Sequence, residues 1–505
     1  MLPTHGANRD GRVRLCQVRR VTFPEPVAGS RPHTERERFR MNRGFPALLL
    51  SACLGSGALG QQAAQPPVLA FTHVTVIDVR AGRLRPDMTV VITGNRIGAL
   101  GPTGTVAVPE GARVIEAQGK YLGPGLVETH AHWFAWFGNR SDTLQGAAIG
   151  AGVYLANGIT TMIDVAGQRN RDEQMLRLRA AVEASGRPAP RIYISGRVDS
   201  ASVQRSGAKD PGELTRRLLA LGVDGIKIHR GLTGVELQAV VAEAHREGRR
   251  VYGHTYEQRE TGYHDYTRVA VEAGVDGVFH VLGMAPVHPA REPPAPPRGA
   301  SWQESWLYGA SRWLYVDTAT ADALIARMVD RGTWLQPTLI AEDWTADRDG
   351  YRGSPYWKYS PWPREALGLG FPAFVGADLT RYLAAYARMK WFVRRFYEAG
   401  GLLVAGTDGL PISGFGMQEE LRLLVEAGIP PLGALQAATL NAVRAFGLDE
   451  AIGTIEVGQL ADLILLDANP LQDIRHMQRI DGVVRNGEYF DRRALDALLA
   501  QAERK

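Results

Sequence analysis

Cysteine is almost absent from this 505-residue chain: Cys16 and Cys53 are the only two, and both lie within the first 60 residues. The remainder has no disulfide framework and no thiolate metal site. Lysine is nearly as scarce, six residues against 52 arginines within the 58 basic residues. No apolar run reaches the roughly 20 residues of a membrane span. A basic surplus is also missing from the body of the protein. Residues 1–60 hold ten arginines and four acids, and subtracting these from 58 and 53 leaves 48 basic against 49 acidic residues. The formal charge of +5 therefore belongs to the leader, and nothing beyond it forms an electrostatic footprint for nucleic acid. Repeats of solenoid period are absent too.

What the leader does contain is a pattern. Met41-Asn-Arg-Gly precedes FPALLLSACLGSGALG and the polar QQAAQPP, which reads as an export signal starting at Met41, with residues 1–40 as an upstream extension. Cleavage after Gly60 and cleavage before Cys53 both fit, and the second would leave a lipid anchor on Cys53. The expected location is periplasmic or secreted; an unstructured cytoplasmic tail is the alternative.

Over the whole chain, 45% hydrophobic residues and 57 glycines fit a globular, loop-rich α/β protein. FTHVTVID, MTVVITGNRIGAL and ARVIEAQG are short β-branched bursts bounded by Gly, Pro or Asp, and predict antiparallel strands over 66–122. From 123 to 445 short apolar runs alternate with helical periodicity: LVETHAH, then 158–165, 191–196, 224–229, 250–255, 276–281, 333–339 and 401–409. Eight such runs predict a (β/α)8 TIM-like barrel. AIGTIEVGQLADLILLD and GVVRNGEYF return to strand character over 446–495, so both chain ends are expected to build one small β-sandwich, with 496–505 as a tail. Insertions at 284–316 and 341–385 carry Trp302, Trp306, Trp313, Trp344, Trp357 and Trp362. An apolar substrate roof and simple packing of the insertions are equally compatible with them.

LGPGLVETHAHWF places His130 and His132 on one face of a strand end, a spacing suited to a divalent metal. Alone, the pair reads equally well as a solvated strand end. His254 and His280 close the fifth and sixth runs as His132 closes the first, and Asp408 closes the eighth, although an Asp-Gly turn is common. Lys227 lies within the apolar run GIKIH, where burial would lower its pKa and free the amine for carbamate formation; a lysine snorkelling to the barrel mouth is the plainer reading. His229 lies two residues on, either beside the site or at a strand-end surface. Trp133 begins the aromatic run Trp133, Phe134, Trp136 and Phe137, which suits either an apolar substrate group or packing of the first loop. His245 sits on a predicted helix and reads as structural.

Together, GPGLVETHAH, GVDGIKI, GHTY, AVEAGVDGVFH, PTL, AGTD and the tail ALQAATLNAVRAFGLDEAIGTIEVGQLADLILLDANPL resemble the amidohydrolase superfamily, in its imidazolonepropionase-related branch, over residues 68–490. The resemblance implies a barrel set in a β-sandwich and two divalent metal ions, most often zinc in relatives. His130, His132 and Asp408 would bind one ion, His254 and His280 the other, and carbamylated Lys227 would bridge them. It also implies a metal-bridging hydroxide, with Asp408 as the catalytic acid and base, attacking an amide or peptide-like C–N bond in a dipeptide or N-acyl amino acid. Glu257, three residues past His254, matches the spacing of related mononuclear deaminases, which lack the lysine; Tyr256 and Glu257 are then candidate substrate contacts, with Trp133 and His229. Deaminase, lactonase and phosphotriesterase chemistry on the same scaffold are the alternatives. A monomer and a homo-oligomer both remain compatible.

Overall fold

The computed structural model describes residues 67–133, 144–165, 172–255, 265–296, 299–360, 372–410 and 414–503. The leader with Met41 and Cys53, residues 134–143 after Trp133, Tyr256, Glu257 and Trp362 lie outside them.

Fifteen strands follow one another among the described residues. The first five are β1 (Val68–Asp78), β2 (Arg83–Thr93), β3 (Arg96–Pro102), β4 (Arg113–Glu116) and β5 (Tyr121–Pro124). Next come β6 (Leu126–Ala131), β7 (Ile159–Asp164), β8 (Arg191–Val198), β9 (Gly225–Ile228), β10 (Val251–His254), β11 (Gly277–Phe279) and β12 (Trp334–Gln336). The last three are β13 (Leu463–Leu466), β14 (Ile480–Arg485) and β15 (Glu488–Asp491).

Both chain ends do meet in one β module. The order is β15-β14-β13-β5-β1-β2-β3, with β4 also on β1. Where a sandwich of two sheets was expected, the hydrogen bonding is that of a single eight-stranded sheet. The physical reason lies in β1: one edge pairs with β2, while the other serves β4 through Leu69–Thr72 and β5 through Thr75–Val76. The alternation of β1 slips between Phe71 and Val74, where His73 adopts φ 55°. The bulge lets Leu69 and Phe71 before it, and Val74 and Val76 after it, enter the same apolar core with Met88, Val90, Leu463 and Val484. Ile77, Ile464, Ile480 and Val483 instead join the larger core shared with the helices.

The central run of the chain forms a seven-stranded parallel sheet in sequence order, β6 to β12. Its strands are almost wholly buried, as expected when helices cover a parallel sheet. The eighth run makes no regular strand: Leu403 bridges Leu335 of β12, with Leu335 N–H donating to Leu402 O (3.1 Å) and Val404 N–H to Leu335 O (2.9 Å). On its other side Thr129 Oγ1 of β6 donates to Ala405 O (2.7 Å).

Residues 496–505 are not a free tail. Of these, 496–502 complete the amphipathic helix Arg492–Ala502, which Asp491 caps through Ala494 N–H and which buries Leu495. The tryptophans of the insertions are mostly packed inside. Trp313 is fully buried and donates to Leu282 O (3.0 Å), Trp344 and Trp357 pack edge to face, and Trp302, which meets Trp306, remains exposed. Packing therefore accounts for four of the five described rings.

Helix Leu339–Ala346 begins three residues beyond the end of β12, and Thr338, the residue before it, provides no side-chain cap. Glu420 replaces the cap from a neighbouring helix, accepting from Leu339 N–H (3.0 Å) and Ile340 N–H (2.8 Å). Glu342 on the same helix accepts from Tyr382 O–H (2.5 Å) of helix Gly376–Glu398. Burial pushes both carboxyls up from 4.5 to about 8. An acid raised in this way stabilises the fold fully below its unfolded pKa and loses that contribution as pH rises through the folded value. The melting temperature is expected to fall between about pH 5 and pH 8 and to level off above, and Glu342→Gln is expected to remove part of the fall, about 1.4 kcal/mol per pH unit. Thermal unfolding of both proteins across that range checks it.

Candidate metal centre

Parallel strands present their C-terminal ends as one face, and the predicted ligands gather there. His130 lies one residue before the end of β6 and His132 just past it; Lys227 lies on β9, His254 ends β10, His280 follows β11, and Asp408 lies near the end of the eighth run. Two groups have ligand atoms all within 4.8 Å of one another: His130, His132 and Asp408, and His130, His254 and His280. His130 thus belongs to both, where the sequence assigned it to one. Asp408 Oδ1 accepts from His132 Nε2 (2.6 Å) and lies 3.2 Å from His130 Nε2. Lys227 Nζ is 3.1 Å from the same His130 Nε2. The imidazoles of His254 and His280 meet edge to face with centroids 4.5 Å apart.

The backbone is strained where it delivers two of these groups. His280 has φ 63° and Asp408 φ 58°, in the left-handed region that non-glycine residues rarely occupy. Two glycines make the approach sterically possible. A Cβ on Gly253, just before His254, would collide with Ile228 O, and one on Gly406 would collide with the Gln336 side-chain amide.

Gln336 fixes the chemistry of His130. Thr129 Oγ1 donates to Ala405 O, so it accepts from Gln336 Nε2 (2.7 Å), and Gln336 Oε1 is left to accept from His130 Nδ1 (2.8 Å). The proton is therefore on Nδ1, and Nε2 presents a bare lone pair to the centre. That lone pair and Asp408 Oδ1 are two acceptors facing each other at 3.2 Å, an arrangement that a shared cation relieves. Burial, reinforced by Lys227, holds His130 and His254 well below the usual histidine range, and burial takes His280 down to about 4. Neutral imidazoles, a carboxylate and a buried amine form a donor set that fits divalent metal.

Lys227 is buried, and burial lowers its ammonium to about 7, with Asp408 opposing and Arg197 assisting. His229 lies at the site and not on an outer surface: its ring meets that of His254 at a tilt of 44° with centroids 4.5 Å apart, and Arg197 Nη2 is 3.0 Å from its Nδ1. Burial, then Arg197, brings it down to about 2. Trp133, a proposed substrate contact, is instead a core residue, 1% exposed, with its indole N–H donating to Ala147 O (2.9 Å).

Sequence reading missed Gln336 and Glu128. Glu128 is fully buried; Oε1 accepts from His130 N–H (2.8 Å) and Thr407 N–H (3.0 Å), and Oε2 from Thr407 Oγ1 (2.6 Å). Burial lifts its carboxyl to about 6 against these three bonds. The signal was present in both cases, as a glutamate inside LVETHAH and a glutamine inside TWLQPTL, polar groups in runs that bury everything else.

Comparison with known proteins agrees with this geometry. Residues 393–489 match the model of the amidohydrolase family. The chain is 26% identical over 392 residues to the imidazolonepropionase of Rubrobacter xylanophilus, covering 75% of this chain and 84% of that protein. It is 23% identical over 415 residues to adenine deaminase 2 of a Bradyrhizobium species, covering 79% of this chain and 55% of that protein. Among solved structures, a Xaa-Pro dipeptidase with bound methionine in the active site has the same fold, at TM-score 0.60 and 21% identity over 84% of this chain and 100% of that one. The match over residues 393–489, the likeness to the imidazolonepropionase and the candidate metal ligands gathered at the strand ends all point to similarity with the amidohydrolase superfamily.

Proposed function

We propose that this protein is a binuclear metal-dependent hydrolase that cleaves an amide or peptide-like C–N bond in a dipeptide or N-acyl amino acid. The observation that carries the reading is the pair of ligand groups sharing His130, with Lys227 against the same nitrogen. We read the seven parallel strands and the eighth run as a (β/α)8 barrel whose seam is held by Thr129 and Glu128. The segment starting at Met41 supports export.

His130, His132 and Asp408 would hold one divalent ion and His254 and His280 the other, with zinc the ion that suits the donors best. Ions held there polarise a carbonyl and make water nucleophilic at neutral pH. The chain's own residues prepare the rest. A neutral Lys227 Nζ attacks carbon dioxide, forms an N–C bond and releases one proton; the resulting carbamate offers two oxygens between the groups. Asp408 can take a proton at a carboxylate oxygen and deliver it to the leaving amine, as general acid–base catalysis requires. Glu128 holds Thr407, and so Asp408, in register with His130.

The adenine deaminase likeness supports a second reading, deamination of a ring. Lys227 speaks against it, because a buried amine at the centre of a mononuclear site would be a charge without a task.

Zinc-loaded protein is expected to carry about two ions per chain, and to hydrolyse members of a dipeptide and N-acyl amino acid library; turnover of an aminated ring with no amide hydrolysis would reverse the assignment. Lys227→Met is expected to hold about one ion or fewer and to lose activity by about a hundredfold or more, measured by elemental analysis beside the kinetics. Glu128→Gln, which presents an amide N–H₂ where two donors converge, is expected to weaken metal affinity by about 10- to 100-fold in a chelator competition titration.

A further inference from the structure

Among the described residues at the strand ends, Arg197 is a cation that belongs to neither ligand group. Arg197 lies on β8 in register with Lys227 on β9, and residues in register on parallel strands project to the same face. Its side chain is one-third exposed. Asp199 Oδ2 accepts from Arg197 Nε (2.7 Å) and Nη2 (2.6 Å). Asp199 is itself buried, and its Oδ1 accepts from Ser202 N–H (2.6 Å) as the cap of helix Ser200–Ser206. The guanidinium is thus clamped from one side.

A guanidinium has five N–H donors and accepts nothing. Nε and Nη2 are spent on Asp199 and on His229 Nδ1 (3.0 Å). Among the described residues, Nη1 makes no hydrogen bond. Because arginine can only donate, His229 Nδ1 must accept, and its proton sits on Nε2. His229 lies next to His254, the two rings tilted at 44° with centroids 4.5 Å apart, so the pair Arg197 and His229 keeps two N–H groups, Arg197 Nη1 and His229 Nε2, on side chains adjoining the ligand groups. Planar Arg donors pre-set by a buried carboxylate match a second carboxylate. Asp199 already neutralises much of the charge, so a monoanion suits the place better than a phosphate dianion.

We propose that Arg197 and His229 bind the carboxylate of the substrate and make this enzyme selective for C–N bonds in free acids over the corresponding amides and esters. The proposal rests on the reaction class above and narrows it, since an uncharged ring would leave Arg197 unmatched.

The test separates binding from turnover. Zinc-loaded wild type, Arg197→Met and Arg197→Lys are titrated calorimetrically with a panel of N-acetyl amino acids and their carboxamides, with zinc content and melting temperature recorded for each protein. Arg197→Lys keeps a cation for Asp199 but loses the fork, so it guards against a folding artefact in Arg197→Met. Wild type is expected to bind at least one acid about tenfold or more tighter than its amide, and both variants to lose that preference with zinc content unchanged. On any dipeptide that is hydrolysed, KM is expected to rise about tenfold with kcat held within a few-fold. Equal binding of every acid and amide by wild type, or equal weakening of both by the variants, overturns the carboxylate site. Selective acid binding that Arg197→Met removes, without hydrolysis of any amide, leaves the site standing and overturns the reaction class instead.

Discussion

The carboxylate of Glu128 is the constraint on which the centre depends. It sits on the first parallel strand and accepts three bonds, one from the backbone of His130 and two from Thr407. Those bonds join the chain segment that carries His130 and His132 to the segment that carries Asp408, across 279 residues of sequence. No regular ladder does this work, because the eighth run pairs with β12 only at the Leu335–Leu403 bridge. A buried acid without a cationic partner is costly, and three donors offset that cost only while both segments stay in place. The same group therefore closes the seam and sets the distance between ligands.

Around that seam the polar groups are ordered in one direction. Thr129 donates to Ala405, Gln336 donates to Thr129, and His130 donates to Gln336. A chain whose donors all run one way decides a tautomer far from its start. Here it leaves the lone pair of His130 aimed where the two ligand groups overlap. Burial then keeps the imidazoles neutral, and neutral imidazoles are what a metal competes for without first displacing protons. The positive φ of His280 and Asp408 belongs to the same economy: backbone that would relax elsewhere is held by its neighbours at the points of delivery.

Much of this was legible from residues alone, and the reasons are physical. Strand runs are short, apolar and separated by helical periodicity, so seven of the eight appear near their expected positions, and ligands at strand ends follow from spacing that the chain cannot hide. The β module was legible as strands but not as one sheet, because the slip at His73 and the divided edge of β1 are pairings between distant segments. The tail read as a tail because ten residues considered apart from Arg492–Leu495 show only a fragment of an amphipathic turn. Trp133 misled because an aromatic beside two metal-type histidines looks exposed to substrate, whereas its indole reaches Ala147 across the first loop. Glu128 and Gln336 are instructive in the other direction. Each is a polar residue placed where only apolar ones belong, and the cost of burying it was itself the sign of a partner.

Arg197 and His229 extend that last point to specificity. Metal ligation would account for His130, His132, His254, His280 and Asp408, and a carbamate would account for Lys227, but none of these reads anything about a substrate beyond a polarisable bond. Selectivity has to come from groups that the metals leave alone. Arg197 is held by Asp199, which is held in turn by the helix it caps. That construction is rigid on the protein side and open on the other, which is the form an anion subsite takes when its orientation is set before the ligand arrives. An arginine serving the fold alone would spend its remaining donors on nearby carbonyls. This one meets a neutral imidazole instead, converting His229 into a second donor beside the bond-breaking centre.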